Sequence, residues 1–336
     1  MTYFCTLFDS NFLTRGLALY ASLSRHSSPC TLFVYCFDDL TYKLLVQLAL
    51  PNLKPVSMTE FETPELLAVK GSRSVGEYCW TCTPHIVRHA IQAFDLPSVT
   101  YLDADLYFFD SPDLLLSEWN EGGASVLITE HRFTPRYDNA RRFGIYCVQF
   151  VSFRADEAGM AALNWWADRC LEWCFSREED GKFGDQKYLD DWTTRFQGVH
   201  VLRHLGGGVA PWNVQQYEMV AAEGPAVRLM ESATGEHFPL VFYHFHGLQI
   251  YRDGEIDLAT YPLSRAIRVE VYERYLGGLR EAAAVLGKVA PERNFHGLRG
   301  RPANAVERLR AFKRRWGRRF SRALNVKHVR DLVQLR

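Results

Sequence analysis

VTYLDADLYFFDSP, Val99–Pro112, decides the reading of this chain. Its apolar run has the composition of a buried strand, and it ends on two carboxylates, Asp103 and Asp105, one residue apart. Side chains two apart on a strand share a face, so both acids are expected to project together where the strand stops. Like charges packed side by side repel, and burying them unpaired is costly. A hard divalent ion, Mg²⁺ or Mn²⁺, resolves the conflict, because it accepts one or two carboxylates and keeps other positions for water and phosphate oxygens. The plainer alternative is a turn cap at Asp103 and a solvated Asp105.

Outward from this stretch, short β-rich runs alternate with helical patterns. YFCTLF (3–8) precedes LTRGLALYASLSRH, TLFVYCF (31–37) precedes LTYKLLVQLAL, and TPHIVRHAIQAF leads into the 99–105 run. Later strands are expected at 124–129, 146–153, 199–204 and 239–246. Strands separated by helices imply an α/β fold with a mostly parallel central sheet flanked by helices, whose ligands bind beyond the carboxyl ends of the strands. A strong helix is expected over 155–175, with Leu163, Trp166, Cys170 and Cys174 on its apolar stripe, and a second over 265–286, bent or split at Gly277 and Gly278.

The chain has 336 residues, 47% of them hydrophobic, and formally no net charge. The charge is unevenly spread: residues 288–336 hold 15 Lys and Arg against 3 Asp and Glu, whereas residues 1–287 hold 24 against 36. Two units are therefore expected, a folded body over 1–287 and a basic amphipathic helical tail over 288–336. Within 302–324, Leu309, Phe312, Trp316 and Phe320 form one apolar face among arginines, a pattern that suits an anionic membrane surface. Nucleic acid is the less expected partner, since no other nucleic-acid motif accompanies the tail. MTYFCTLFDSNFL shows no leader-like pattern, so the expected location is the cytoplasm, peripheral at the inner face of the membrane. The eight cysteines sit mostly in apolar runs and are expected to be reduced; CWTC (79–82) lacks a second ligand pair for zinc.

YLDADLYFFDSP resembles the metal-binding segment of GT-A-fold glycosyltransferases of the family 8 type. Other segments follow in that family's order: FCTLFDSNFLTRGLALYASLSRH, FGDQKYLDDW, VAPWNV and HFHG. The resemblance covers about residues 1–250. It implies a GT-A-like nucleotide-diphospho-sugar transferase fold and a metal-dependent, retaining hexosyltransferase that uses a nucleotide sugar, expected to be a UDP-sugar. The acceptor it implies is a glycan or lipid-linked glycan, in bacterial surface polysaccharide or lipooligosaccharide synthesis. It also assigns residues. Thr6, Asp9, Asn11, Arg88, Asp103 and Asp105 would bind the donor, Asp103, Asp105 and His244 would hold Mn²⁺ or Mg²⁺, and His246 is a rival ligand. Asp185 and Gln186 would be catalytic, and Trp212 and Asn213 would meet the acceptor sugar. GIYCVQFVSFR departs from the family at Cys147 and Gln149, and LQIYRDG lacks its phosphate-gripping lysine, with Arg252 as a possible substitute. These departures keep a second class open, a non-catalytic, membrane-associated nucleotide-sugar-binding protein of the same fold.

Overall fold

The computed structural model describes residues 1–27, 29–224 and 226–300, and the backbone of 326–328. Its centre is a seven-stranded sheet built from β1 (Thr2–Phe8), β2 (Cys30–Cys36), β3 (Leu53–Ser57), β4 (Ser98–Leu102), β6 (Val126–Glu130), β7 (Tyr146–Arg154) and β8 (Val199–Val201), in the order β3-β2-β1-β4-β7-β6-β8. All pairings are parallel except the two made by β7. Alternate residues of the strands feed opposite cores. Phe4, Leu32, Val34 and Leu102 pack with helix α1 (Leu13–His26), while Cys5, Phe33, Tyr35 and Tyr101 pack with α2 (Val75–Ala93) and α3 (Glu157–Glu172). A sheet covered on both faces needs apolar side chains on both, which is why its strands read as continuous hydrophobic runs.

The strand order places the ligand crevice. From β1 the chain moves outward to β2 and β3, then returns to β4 on the other side of β1. This reversal makes the carboxyl ends of β1 and β4 the switch point, where open α/β sheets bind ligands. Asp9 follows β1 and Asp103 follows β4.

Three local expectations are corrected. The 99–105 run does not stay a strand through both acids: β4 ends at Leu102, Asp103–Asp105 turn, and β5 (Leu106–Phe108) leaves the main sheet to pair with β12 (Phe242–His244). The acids converge through that turn, closed by the Leu106 amide donating to the Asp103 carbonyl at 3.2 Å. The helix expected over 265–286 is not split at its glycines; its irregularity is a π turn at Arg268–Tyr272, followed by α4 (Glu273–Gly287). Gly278 instead admits the Tyr107 ring, which a Cβ there would meet at 2.8 Å. The body also continues past Lys288: Ala290, Phe295 and His296 are buried, and Thr14 and Arg15 bond to the 295–296 segment. The expected membrane-facing stretch 302–324 lies outside the described residues. No helix among the described residues is long and apolar enough to cross a membrane.

The 155–175 helix is observed at Glu157–Glu172, capped by the Asp156 carboxylate accepting from the Gly159 amide at 2.8 Å. Its stripe residues Leu163, Trp166 and Cys170 are fully buried. All eight cysteines are free, and burial pushes the Cys79 thiol up to about 12.

Candidate active site

Register decides what stands beside the two aspartates. In the antiparallel β5–β12 pair His244 lies opposite Leu106, and the Phe245 amide donates to the Asp105 carbonyl at 3.0 Å. His244 Nε2 therefore sits 3.1 Å from Asp105 Oδ1 and 3.7 Å from Asp103 Oδ2. One atom from each of the three lies within 4.8 Å of the others. His246, left open as the rival ligand, is exposed and outside this cluster; its ring stands edge-on to Trp212 at 5.6 Å.

Two further side chains aim the cluster. Tyr101 donates its hydroxyl proton to Asp103 Oδ1 at 2.8 Å, which leaves Oδ2 facing His244. Gln149 Oε1 accepts from His244 Nδ1 at 2.8 Å. With Nδ1 carrying the hydrogen, the Nε2 lone pair is the one presented to a cation between the acids, the usual arrangement of a metal-ligating imidazole. Neither residue was assigned this role from sequence. Gln149 did carry a signal, since a fully buried amide in the apolar strand YCVQFVSF needs a polar partner.

The electrostatics fit a cation site. Burial raises the Asp103 carboxyl, with His244 opposing that rise. Burial acts on Asp105 too, yet the charge and hydrogen bond of His244 outweigh it and hold that carboxyl low. Burial opposes charging His244, but Asp105 raises it well above the ordinary histidine value. A proton on His244 thus supplies the counter-charge that a divalent ion supplies when bound. Two carboxylate oxygens and one imidazole nitrogen are a donor set suited to Mn²⁺ or Mg²⁺, and among the described residues no other such group of three forms.

The other expected residues divide. Asp9 is tied to Asn11 through both the Asn11 backbone amide and its side-chain amide, each at 3.0 Å, at the carboxyl end of β1. Thr6 is fully buried, and among the described residues its hydroxyl has no partner. The charges of both Asp9 and Asp185 act on the Cys79 thiol in the first half of α2, adding to the rise that burial causes. Asp185 is buried; burial and the Asp103 charge push its carboxyl up to about 8. Its backbone carbonyl accepts from Trp166 Nε1 at 2.9 Å. The preceding Gly184 has φ +54 and lies over the Trp80 ring, where a Cβ would stand at 3.4 Å. Gln186 Nε2 donates to the Phe143 carbonyl at 2.8 Å.

Arg88 is not brought to this crevice. It stands five positions along the helix from Thr83, which lies against Tyr101 and Asp185, and that spacing turns it about 140° away. It bonds to His85 Nδ1 at 3.0 Å, and His85 Nε2 reaches the Ala167 carbonyl of α3. Asn213 is also displaced from its expected acceptor role. It is fully buried, Oδ1 takes the Ala210 amide, and Nδ2 donates to the His131 and Gly208 carbonyls, all at 2.8 Å. Trp212 is buried with Nε1 on the His131 carbonyl and its ring edge-on to His244 at 5.3 Å, a wall of the ligand cluster. Gly206 and Gly207 offer no anion cradle, because their amides are taken by His204. Arg252 is exposed.

Comparison with known proteins places this geometry. The uncharacterized protein YfnF of Bacillus subtilis (strain 168) is 31% identical over 309 residues, covering 90% of this chain and 98% of YfnF. YfnD of the same strain is 31% identical over 266 residues, covering 77% and 82%. The chain belongs to the YfnF and YfnD family. No family model matches it. Among solved structures, the galactosyltransferase LgtC in complex with donor and acceptor sugar analogues superposes with a TM-score of 0.53 at 12% identity, over 83% of this chain and 96% of LgtC. This YfnF-family chain therefore has the fold of the GT-A-type glycosyltransferases, with its Asp103–Asp105–His244 cluster at the sheet's switch point.

Proposed function

We propose that the protein is a metal-dependent glycosyltransferase that moves a hexose from a nucleotide sugar, a UDP-sugar by resemblance, to a glycan or lipid-linked glycan in bacterial surface polysaccharide synthesis. The observation that carries the reading is the convergence of Asp103, Asp105 and His244 at the switch point of a GT-A-type sheet.

The residues have separable tasks. Asp103 Oδ2, Asp105 Oδ1 and His244 Nε2 would hold Mn²⁺ or Mg²⁺, whose chemistry there is Lewis-acid neutralisation of the charge that grows on a departing diphosphate. Tyr101 and Gln149 fix which ligand atoms face inward. Asp9 and Asn11, at the neighbouring strand end, offer polar atoms to a nucleoside. Asp185 is a buried carboxyl able to share hydrogen bonds with sugar hydroxyls, and Gln186, held by Phe143, is the residue matched to the face of the anomeric carbon. Retention of configuration is the stereochemistry implied by the resemblance.

Titration of the full chain with a panel of nucleotide sugars, with and without Mn²⁺, tests this reading. Metal-dependent binding of one donor, followed by slow release of its nucleoside diphosphate, supports it. Metal-independent binding, or binding with no release across glycan acceptors, favours the non-catalytic binding protein. The membrane contact through 302–324 is part of the proposal and has its own test. Replacing Arg314, Arg315, Arg318 and Arg319 with Gln should abolish sedimentation with phosphatidylglycerol vesicles, and unchanged pelleting would refute it.

A further inference from the structure

The loop 131–145, HRFTPRYDNARRFGI, carries four arginines and one aspartate in a body whose residues 1–287 hold 12 more acids than bases. Arg132 is structural: its guanidinium donates to the carbonyls of Leu202, His204, Leu205 and Gly207. Arg136, Arg141 and Arg142 are exposed, and among the described residues none has a carboxylate partner. The acids near them are engaged elsewhere. Asp190 takes Lys187 and the Ile145 amide, both at 2.7 Å, and Asp138 takes the Ala140 amide at 2.8 Å.

Arg142 is also held in place. Its Cζ stands 5.0 Å from the centroid of Phe143 and 5.8 Å from that of Phe183, two rings that meet edge-to-face at 4.9 Å. Phe183 next contacts Trp80, and Phe143 supplies the carbonyl that anchors Gln186. Lys187 Nζ, bonded to the Ala140 carbonyl at 3.1 Å, pins the loop to the same segment. A guanidinium stacked on aromatic faces keeps its N–H edge free for a carboxylate or phosphate, and its fixed position reduces the ordering cost of binding one. Three exposed arginines within seven residues, without a carboxylate among the described residues, concentrate positive charge at one place on an acid-rich body.

We propose that Arg142, assisted by Arg136 and Arg141, receives an oxyanion carried by the acceptor, so that the acceptor is an acidic saccharide bearing a carboxylate or a phosphate. The inference rests on the glycosyltransferase reading. The donor diphosphate would find its counter-charge in a divalent ion held by Asp103, Asp105 and His244, whereas Arg142 belongs to the rim around Gly184–Gln186.

The test uses the full chain with Mn²⁺ and UDP. Methyl glucuronide, glucose 6-phosphate and methyl glucoside are titrated separately, with binding read by ligand-observed NMR. At least one charged probe should bind about tenfold or more tightly than methyl glucoside, the size of one charge-assisted contact. Glucuronide and sugar phosphate distinguish the two sources of negative charge. The preference should collapse in Arg142→Gln and partly survive in Arg142→Lys, with UDP affinity unchanged in both. Equal binding of charged and neutral probes, no binding of the charged probes, or a preference that survives Arg142→Gln overturns the inference. So does loss of phosphatidylglycerol-vesicle binding in Arg142→Gln with an unaltered glycoside preference, since the arginines would then serve a membrane. UDP affinity separates the failures: absent UDP binding sinks the glycosyltransferase reading, and intact UDP binding without the charge preference sinks this inference alone.

Discussion

Gln149 Oε1 lies 2.8 Å from His244 Nδ1, across 95 residues of sequence, and sets which imidazole nitrogen faces the two aspartates. Partners of this kind usually change metal affinity by about 10–100-fold when removed. Gln149→Leu is therefore expected to weaken Mn²⁺ binding by a factor in that range, while Gln149→Glu, which still accepts from Nδ1, keeps it. Calorimetry with Mn²⁺ alone decides the matter. Equal affinity in Gln149→Leu would remove Gln149 from the site.

The three ligands and the rival histidine separate in the same assay. Asp103→Asn, Asp105→Asn and His244→Ala should each lose most Mn²⁺ affinity and, with it, metal-dependent UDP binding. His246→Ala should retain both, because His246 stands outside the cluster. A loss on His246→Ala equal to that on His244→Ala would mean that the ligand set is misassigned.

Asp185 ties stability to pH. Burial and the Asp103 charge lift its carboxyl to about 8, whereas an aspartate in an unfolded chain ionises near ~3.9. A raised folded value means the stabilising contribution is complete below the unfolded value and is lost as pH rises toward the folded one. Asp185→Asn has no proton to lose. In EDTA its stability relative to the parent should grow between pH 5 and pH 8, by at most about 1.4 kcal/mol per pH unit. Thermal melts across that range read the difference directly, and a difference independent of pH would show that Asp185 is ionised in the fold. Turnover should fall in the same variant, the trade-off expected where a buried carboxyl serves catalysis rather than stability.

Much of this was legible in sequence because it is local. The apolar runs that become β1, β2, β4 and β7, and the paired acids at a strand end, depend on neighbours within a few residues. The ligand role of His244 was visible only through family resemblance; physically it depends on the β5–β12 register. Gln149 looked like a defect in the strand after the metal segment, and only that same register shows what it holds. Arg88 misled because its distance along α2 hides a rotation of about 140° away from Thr83. Asn213 misled differently: the resemblance of VAPWNV assigned it to the acceptor sugar, yet the turn it closes consumes both its donors and its acceptor.

That reassignment of Asn213 makes the last prediction. If it served the acceptor, Asn213→Ala would spare stability and damage acceptor binding. The structure gives it three backbone hydrogen bonds in a fully buried turn that carries Trp212 against His244. Removing it strands the Ala210 amide and the Gly208 carbonyl, while the His131 carbonyl keeps Trp212 Nε1, and one unsatisfied buried group alone costs about 1–3 kcal/mol. Asn213→Ala should therefore lower unfolding free energy by roughly 2–4 kcal/mol, read from urea denaturation. Because Trp212 walls the ligand cluster, the part of the protein still folded should also bind Mn²⁺ more weakly. Parent-like stability in this variant would return Asn213 to the acceptor side, and the two proteins can be told apart by a single denaturation curve each.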